Sequence, residues 1–293
     1  MFQIISDGGC EFTGKEAQQH KIDIVPFYVS FDEKVYLKEG IDISKEDYFT
    51  RLQTDKELFP KTSQPSPQDY VDVYRPHLEA GKDILSLTIS SKLSGTYNSA
   101  TLAAKMLKED FPNRNIIVID SLNSAVGQNL ILREIIKMRD AGYSIEQTAE
   151  LAGKVIETTK IYFTLDTLEY LRRGGRVGPT TALVGGILGL RPVLHLVDGS
   201  VEQLESIRGR KKVTQMMIDG IATAVSDDVQ NVNLCVGHIL SADDGQALKS
   251  GLEQAIGKVI DTPLTEVGAA IGTHTGPGAL AVAYCMGYEV FVD

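Results

Sequence analysis

The first half of the chain alternates short apolar, β-branched runs with longer segments whose apolar residues recur at helical spacing. Runs of the first kind predict strands over residues 2–5, 21–31, 83–89 and 115–120. Segments of the second kind predict helices over residues 96–110 and 126–142. Ser144 and Gln147 then form a capping-box pattern that begins another helix. Strands that alternate with helices are typical of a parallel sheet covered by helices.

Beyond about residue 160 the pattern becomes typical of antiparallel sheet. The runs VLHLV and VEQLESI are joined by Asp198-Gly199, a dipeptide that favours a tight hairpin turn. Further strands are predicted over residues 161–165, 233–239, 264–271 and 289–292. Helices are predicted to begin near Ser241 and near Pro277.

The length of 293 residues favours two compact units over one. We therefore predict an α/β protein of two domains. Residues 1–160 form a parallel-sheet α/β domain, and residues 161–293 form an α/β domain with a mixed or antiparallel sheet.

Composition narrows the function classes. A net charge of −10 argues against a general binder of nucleic acid or anionic membranes, because both would repel the average surface. The amino terminus has no signal-peptide pattern, and the longest apolar run is too short to span a bilayer, so a cytoplasmic location is expected. Three widely spaced cysteines suggest neither a disulfide framework nor a zinc site.

Two loops carry hydroxyl groups near predicted helix starts. In SSKLSGTYNS, residues 90–99, the Ser94 hydroxyl and the Gly95 N–H are candidates for binding an oxyanion, and the alternative is that Ser94 or Thr96 only caps the helix. In KTSQPSPQDY, residues 61–70, the prolines hold the chain extended and fix the directions of the Thr62 and Ser63 hydroxyls. The alternative here is again a helix cap.

His274 lies between two threonines in GTHTGPGAL, residues 272–280. If it opens the helix predicted near Pro277, the helix dipole favours an anion there and lowers the pKa of the imidazole. The alternative is an ordinary structural histidine. The other four histidines are not spaced as metal ligands, so no metal is expected.

Two basic clusters stand out on this acidic chain. The first contains Arg172, Arg173 and Arg176, and the second contains Arg208, Arg210, Lys211 and Lys212. Each is either a solvated basic face or a surface for an anion or an acidic partner. The chain has no P-loop, no G-x-G-x-x-G after the first strand and no G-x-S-x-G, which disfavours nucleotide binding and acyl hydrolysis.

The sequence resembles the DegV family of fatty-acid-binding proteins, which are called FakB when they act with a fatty acid kinase. The resemblance runs nearly from end to end. It is carried by SDGGCEF, TSQPSP, SSKLSGTYNSA, IDSLNSAVGQ, FTLDTLEYLRRGGRVG, GLRPVL with DGSVEQLESIRGRKK, and HTGPGAL. One departure is SDGG, because the family commonly has a hydroxyl residue after the aspartate.

This resemblance implies a non-catalytic carrier that buries one long-chain fatty acid between its domains and needs no other cofactor. The carboxylate would be held by Thr62, Ser94 and His274, with Ser63, Gly95 and Thr273 beside them and the three arginines of the R-R-G-G-R motif nearby. A partner fatty acid kinase would phosphorylate the bound acid, and the acyl phosphate would go on to phospholipid synthesis.

Three further expectations go with the resemblance. The cluster at residues 208–212 is assigned to kinase docking, and any contact with membranes is expected to be transient. The segment TALVGGILGL is a candidate tunnel wall, although a core helix would look the same. A rival interpretation is an enzyme resembling dihydroxyacetone kinase, in which His274 engages a small carbonyl substrate. That enzyme needs a small polar pocket, whereas a lipid carrier needs a long apolar one.

Overall fold

A computed structural model describes residues 2–55, 58–177 and 189–292 of the chain. Its strands are β1 (Gln3–Asp7), β2 (Asp23–Val25), β3 (Tyr28–Ser30), β4 (Leu37–Lys38), β5 (Lys61–Ser63), β6 (Ile84–Thr88), β7 (Ile116–Asp120), β8 (Lys160–Thr164), β9 (Leu190–Val197), β10 (Ser200–Arg208), β11 (Val232–His238), β12 (Thr265–Glu266) and β13 (Leu280–Met286). Its α-helices are α1 (Gly14–Gln19), α2 (Lys45–Thr54), α3 (Pro67–Glu79), α4 (Thr96–Leu107), α5 (Ala125–Asp140), α6 (Ile145–Thr158), α7 (Glu169–Gly174), α8 (Arg210–Val225), α9 (Ala242–Ile256) and α10 (Ala269–Thr275).

The first sheet is built from parallel pairs and has the order β2-β1-β6-β7. Its two central strands, β1 and β6, are fully buried. Helices α3 and α4 share a core with one face of this sheet, and α5 and α6 share a core with the other. The predicted capping box at Ser144 and Gln147 begins α6. The prediction of a parallel, helix-covered sheet in the first half is confirmed.

The second sheet is mixed and has the order β10-β9-β8-β13-β11-β12. Among its described pairs, β11–β12 is parallel and the others are antiparallel. The predicted hairpin joins β9 to β10, and both Asp198 and Gly199 have the positive φ angles of 47° and 81° that such a tight turn requires. Helices α8 and α9 cover one face, and α5 and α6 lie between the two sheets. The predicted α/β fold is therefore confirmed.

The described strands of the first sheet end at Asp120, those of the second begin at Lys160, and no described strand of one sheet pairs with a strand of the other. The division into domains of residues 1–160 and 161–293 stays a prediction. The candidate tunnel wall is residues 181–190, of which 181–188 lie outside the described residues, and its last residue, Leu190, begins β9. Within the described part of the chain, no helix has the length and apolar character needed to cross a membrane.

Several local predictions are wrong. The run at residues 21–31 forms two strands in different sheets, because Pro26 separates β2 in the parallel sheet from β3 in a small sheet of order β4-β3-β5. Residues 264–271 contain only the short β12 before α10 begins, and residues 289–292 lie in and just after a 3-10 helix, Tyr288–Phe291.

The helix predicted near Pro277 is a strand. Residues 280–286 form β13, which pairs with β11 on one side and β8 on the other, so long-range pairing overrides the local helix signal. Gly276 and Gly278 have positive φ angles, of 75° and 84°, and turn the chain from α10 into this strand.

Candidate functional site

A cavity lies between the parallel sheet, the small sheet and the mixed sheet. The cavity has a volume of about 130 Å³, counted as the space that the centre of a water-sized sphere can reach. Most of its wall is apolar and buried. The wall includes side chains from all three regions, among them Phe27, Leu93, Phe163, Leu171, Leu196, Val201 and Ile239. An apolar space of this kind fits a hydrocarbon chain better than a polar metabolite.

The polar end of the cavity is built around Thr62 and His274. Thr62 lies on β5 and His274 in the last turn of α10, and their side chains meet with 2.8 Å between Thr62 Oγ1 and His274 Nε2. The other ring nitrogen, Nδ1, is buried and has no hydrogen-bond partner among the described residues. The two predicted residues, 212 positions apart in sequence, therefore form one unit facing the cavity.

The pKa of His274 is lowered to about 4, so its imidazole is neutral at pH 7. Burial is the main cause, and the positive charges of Arg176 and Lys61 add to it. The predicted direction of the shift is therefore right, but the predicted cause is wrong. His274 ends a helix and does not begin one, so a helix amino terminus does not explain the lowered pKa.

The absence of a side chain at Gly174 leaves space for the His274 ring. A Cβ atom at Gly174 would lie 2.1 Å from His274 Nδ1, well inside contact distance. Gly174 is the last residue of α7 and belongs to the R-R-G-G-R motif. The first glycine of this motif is therefore needed for the close approach between α7 and α10.

Ser94 also lines the cavity, in the loop between β6 and α4. Its hydroxyl lies 2.7 Å from that of Thr96. Gly95 occupies the cap position of α4 without a side-chain cap, and a Cβ there would lie 2.3 Å from Gln64 Oε1. Neither Ser94 nor Thr96 caps α4, so the helix-cap alternative for this loop is wrong.

In the loop that follows β5, Ser66 caps α3 by a capping box with Asp69. Thr62 and Ser63 lie upstream of this cap, and both line the cavity. The Ser63 hydroxyl is exposed and donates to the carbonyl of Gln64 at 3.3 Å. Thr62 is thus free of a capping role.

Thr273 differs from its neighbour His274. Its hydroxyl donates to the carbonyl of Ala269 at 2.8 Å and lies 2.6 Å from the hydroxyl of Tyr48. These contacts tie α10 to α2, so Thr273 positions the helix that carries His274.

The three arginines of the R-R-G-G-R motif have different surroundings. Arg176 lines the cavity, and its guanidinium donates to the carbonyls of Leu93, at 3.2 Å, and Gly174. Arg172 and Arg173 are exposed and both pair with Glu169. Of the three, Arg176 is the one at the polar end of the cavity.

The second basic cluster is also divided. Arg208, Lys211 and Lys212 are exposed. Arg210 is partly buried, pairs with Asp166 at 3.1 Å and Asp244 at 2.9 Å, and donates to the carbonyl of Gly278. Arg210 therefore holds the loop that follows His274.

Asp7 is a buried residue near the cavity that sequence patterns did not single out. Its carboxylate accepts hydrogen bonds from the backbone N–H groups of Gly9 and Ile89 and from Gln128. Burial raises its pKa to about 6. A Cβ at Gly9 would lie 2.8 Å from Gln128 Oε1, so the second glycine of SDGG allows close packing against Gln128, whereas the departure itself lies at Gly8. The available signal was the position of Asp7 at the carboxyl end of a parallel strand.

Comparisons with known proteins identify one family. The profile described as "Uncharacterised protein, DegV family" matches residues 1–286. A DegV domain-containing protein of Streptomyces coelicolor is 33% identical over 280 residues, which cover 95% of this chain and 96% of that protein.

Two solved structures share the fold. A stearic-acid-binding protein from Eubacterium ventriosum has a TM-score of 0.94 and 32% identity, covering 99% of this chain and 100% of that one. A fatty-acid-binding DegV family protein from Thermus thermophilus has a TM-score of 0.87 and 29% identity. The match covers 97% of this chain and 99% of that one. Because the family profile matches nearly the whole length of this chain, the chain belongs to the DegV family.

Proposed function

We propose that this protein binds one long-chain fatty acid in the cavity and holds its carboxylate at Thr62, Ser94 and His274. The observation that carries the proposal is the apolar cavity whose wall contains the hydrogen-bonded pair Thr62 and His274. The fatty-acid ligands of the two solved relatives support it.

The polar end is suited to an anion. The hydrogen bond between Thr62 and neutral His274 uses one of the two protons that this pair carries, so the pair can supply one donor to a ligand, and the Ser94 hydroxyl can supply another. Arg176 and Lys61 add positive charge close to the imidazole. A carboxylate that leaves water needs such donors, and hydrogen bonds to a charged acceptor are about twice as strong as neutral ones.

The tail needs only apolar volume. At about 0.8 kcal/mol for each buried methylene, a chain of about sixteen carbons contributes on the order of 10 kcal/mol before ordering costs. Most of the affinity then comes from the tail, and the polar end fixes which way the acid lies.

The proposed role is that of a carrier subunit. A partner fatty acid kinase transfers a phosphoryl group to the bound carboxylate, and the acyl phosphate enters phospholipid synthesis. The exposed residues Arg208, Lys211 and Lys212 form the proposed docking surface. Arg210 is engaged with two aspartates and serves the fold of the site.

Mass spectrometry tests the binding proposal directly. The purified protein is denatured and the released organic phase is analysed, and a long-chain fatty acid in near-stoichiometric amount is expected. His274→Ala should retain less of it without loss of the folded circular dichroism spectrum. A protein that releases no lipid and takes up none from added fatty acid would contradict the proposal.

The docking surface has a matched control. Lys211→Glu with Lys212→Glu should weaken kinase-dependent phosphorylation of the bound acid. Lys105→Glu with Lys108→Glu makes the same charge change on exposed positions at the end of α4 and should leave it intact. Equal phosphorylation by both double variants would contradict the docking role and indicate that residues 208–212 are only a solvated basic face.

The apolar wall also bears on the enzyme resembling dihydroxyacetone kinase. A small carbonyl substrate needs several polar groups around it, and the wall beyond Thr62, Ser94 and His274 is mainly aliphatic and aromatic. Binding of dihydroxyacetone in place of fatty acid would favour that enzyme.

A further inference from the structure

A second polar position lies in the wall of the cavity, on a different element from Thr62 and His274. Ser124 lines the cavity and is the residue immediately before α5. It is only 9% exposed. Its hydroxyl does not cap the helix, and it has no hydrogen-bond partner in the described part of the chain. The hydroxyl is therefore open to the cavity and available to a ligand.

The start of α5 has unpaired backbone N–H groups next to Ser124. This helix has 16 residues, and its first internal bonds run from the N–H groups of Gly127 and Gln128 to the carbonyl of Ser124. The N–H groups of Ala125 and Val126 precede these bonds and have no acceptor within the helix. Ala125 lines the cavity beside Ser124. A helix amino terminus favours an acceptor oxygen.

This position lies farther along the cavity than the carboxylate site. Val126 packs against β11, since a Cβ at Gly237 would lie 2.7 Å from its side chain and 3.3 Å from that of Val267. Gly237, Val267 and Ala270 line the cavity there. Ala270 precedes His274 by one turn of α10, a rise of about 6 Å. A hydrocarbon tail leaving the carboxylate site would therefore pass Ser124.

We propose that Ser124 and the amino terminus of α5 form a subsite for an oxygen atom carried on the acyl chain. The ligand class is a fatty acid with a hydroxyl or oxo group, and this inference rests on the proposed fatty-acid binding. A hydroxyl group accepts from the helix N–H groups and donates to Ser124 Oγ, and an oxo group accepts from both. A plain hydrocarbon segment leaves the serine unpaired.

Competition binding with a positional series tests the subsite. The probes are plain octadecanoic acid and monohydroxylated octadecanoic acids with the hydroxyl group at successive carbons. The measured quantity is the affinity for each hydroxylated acid divided by that for the plain acid. In the wild type this ratio should peak at one position along the chain. Ser124→Ala should lower the peak about tenfold or more, as loss of one hydrogen bond implies, and Ser124→Thr should retain it.

Thr275 supplies the matched control. Its hydroxyl belongs to another cavity-lining residue but already donates to the carbonyl of Ile271 at 2.9 Å. Thr275→Val should therefore leave the position of the peak in the ratio where it is in the wild type.

The possible failures are distinguishable. A wild-type protein that binds the plain acid but shows no peak, or a peak that Ser124→Ala leaves in place, overturns the subsite alone. A protein that binds neither plain nor hydroxylated acid overturns the fatty-acid proposal and this inference with it.

Discussion

Replacing Gly174 with alanine tests whether the position of the His274 ring controls the polar end of the cavity. The new Cβ would lie 2.1 Å from Nδ1, and ordinary contacts begin near 3.4 Å. The ring must therefore move by about 1.3 Å (3.4 − 2.1). Such a shift is large compared with the tolerance of the 2.8 Å contact to Thr62.

The expected cost follows from that contact. Losing one hydrogen bond that supports a charged group costs about 1.5–3 kcal/mol, which corresponds to roughly a 10- to 150-fold loss of affinity for the fatty acid. The backbone of Gly174 lies outside the left-handed region, so alanine adds no strain there. The fold should therefore survive.

Gly153→Ala is the matched control, because Gly153 lies inside α6 and, apart from its own helix backbone and its chain neighbours, no atom of the described residues would come within 4 Å of its added methyl group. It should leave affinity unchanged and stabilise the helix by up to about 1 kcal/mol. Isothermal titration calorimetry with a long-chain fatty acid measures both variants. If Gly174→Ala binds as tightly as Gly153→Ala, the ring position does not control binding and the reasoning is refuted.

Three further predictions concern the same end of the molecule. Because burial lowers the pKa of His274 from 6.5 to about 4, the unfolded chain binds the extra proton first as pH falls. Wild-type stability in urea should therefore drop by up to about 3 kcal/mol more than that of His274→Gln between pH 7 and pH 4, and parallel losses would contradict this pKa. Thr62→Val keeps the side-chain shape but removes the hydroxyl, so fatty-acid affinity should fall about tenfold or more in calorimetry; an unchanged affinity would exclude Thr62 from the site. Arg210→Gln should cost about 1–3 kcal/mol of unfolding free energy, because Asp244 and the Gly278 carbonyl lose their guanidinium partner, while Asp166 still pairs with Arg191. Lys211→Gln should cost less than about 0.5 kcal/mol, and similar losses would contradict a structural role for Arg210.

The parts of the fold that sequence could predict are those set by local periodicity. The buried runs of β1 and β6 and the amphipathic helix α6, with its capping box, need no partner to be recognised. The hairpin at Asp198-Gly199 is likewise a local turn signal.

Strand pairing between residues far apart in sequence could not be predicted from local patterns. The run after Pro277 has alanine and leucine at spacings that suit a helix, and only its two neighbours β8 and β11 make it a strand. The same limit applied to His274. Its residue type and motif were recognised, but its place at the end of α10 depends on packing against Gly174 and on the link from Thr273 to Tyr48.

Arg210 shows a further limit of charge patterns. In the sequence it cannot be told apart from Arg208, Lys211 and Lys212, because all four lie within five positions. The structure separates it through Asp166 and Asp244, which are 44 and 34 residues distant. Charged residues that are neighbours in sequence therefore need not all lie on the surface.

The electrostatic part of the lowered pKa of His274 has the same origin as the attraction of this site for an anion. Burial removes the water that would stabilise an imidazolium ion, and the charges of Arg176 and Lys61 oppose a further positive charge at the same place. The field that opposes imidazolium favours a carboxylate. Since linkage is reciprocal, a bound carboxylate must raise the pKa of His274 by the same free energy by which protonation of His274 tightens binding. NMR titration of the ring with and without fatty acid should show that rise, and a pKa that stays the same would place the carboxylate away from His274.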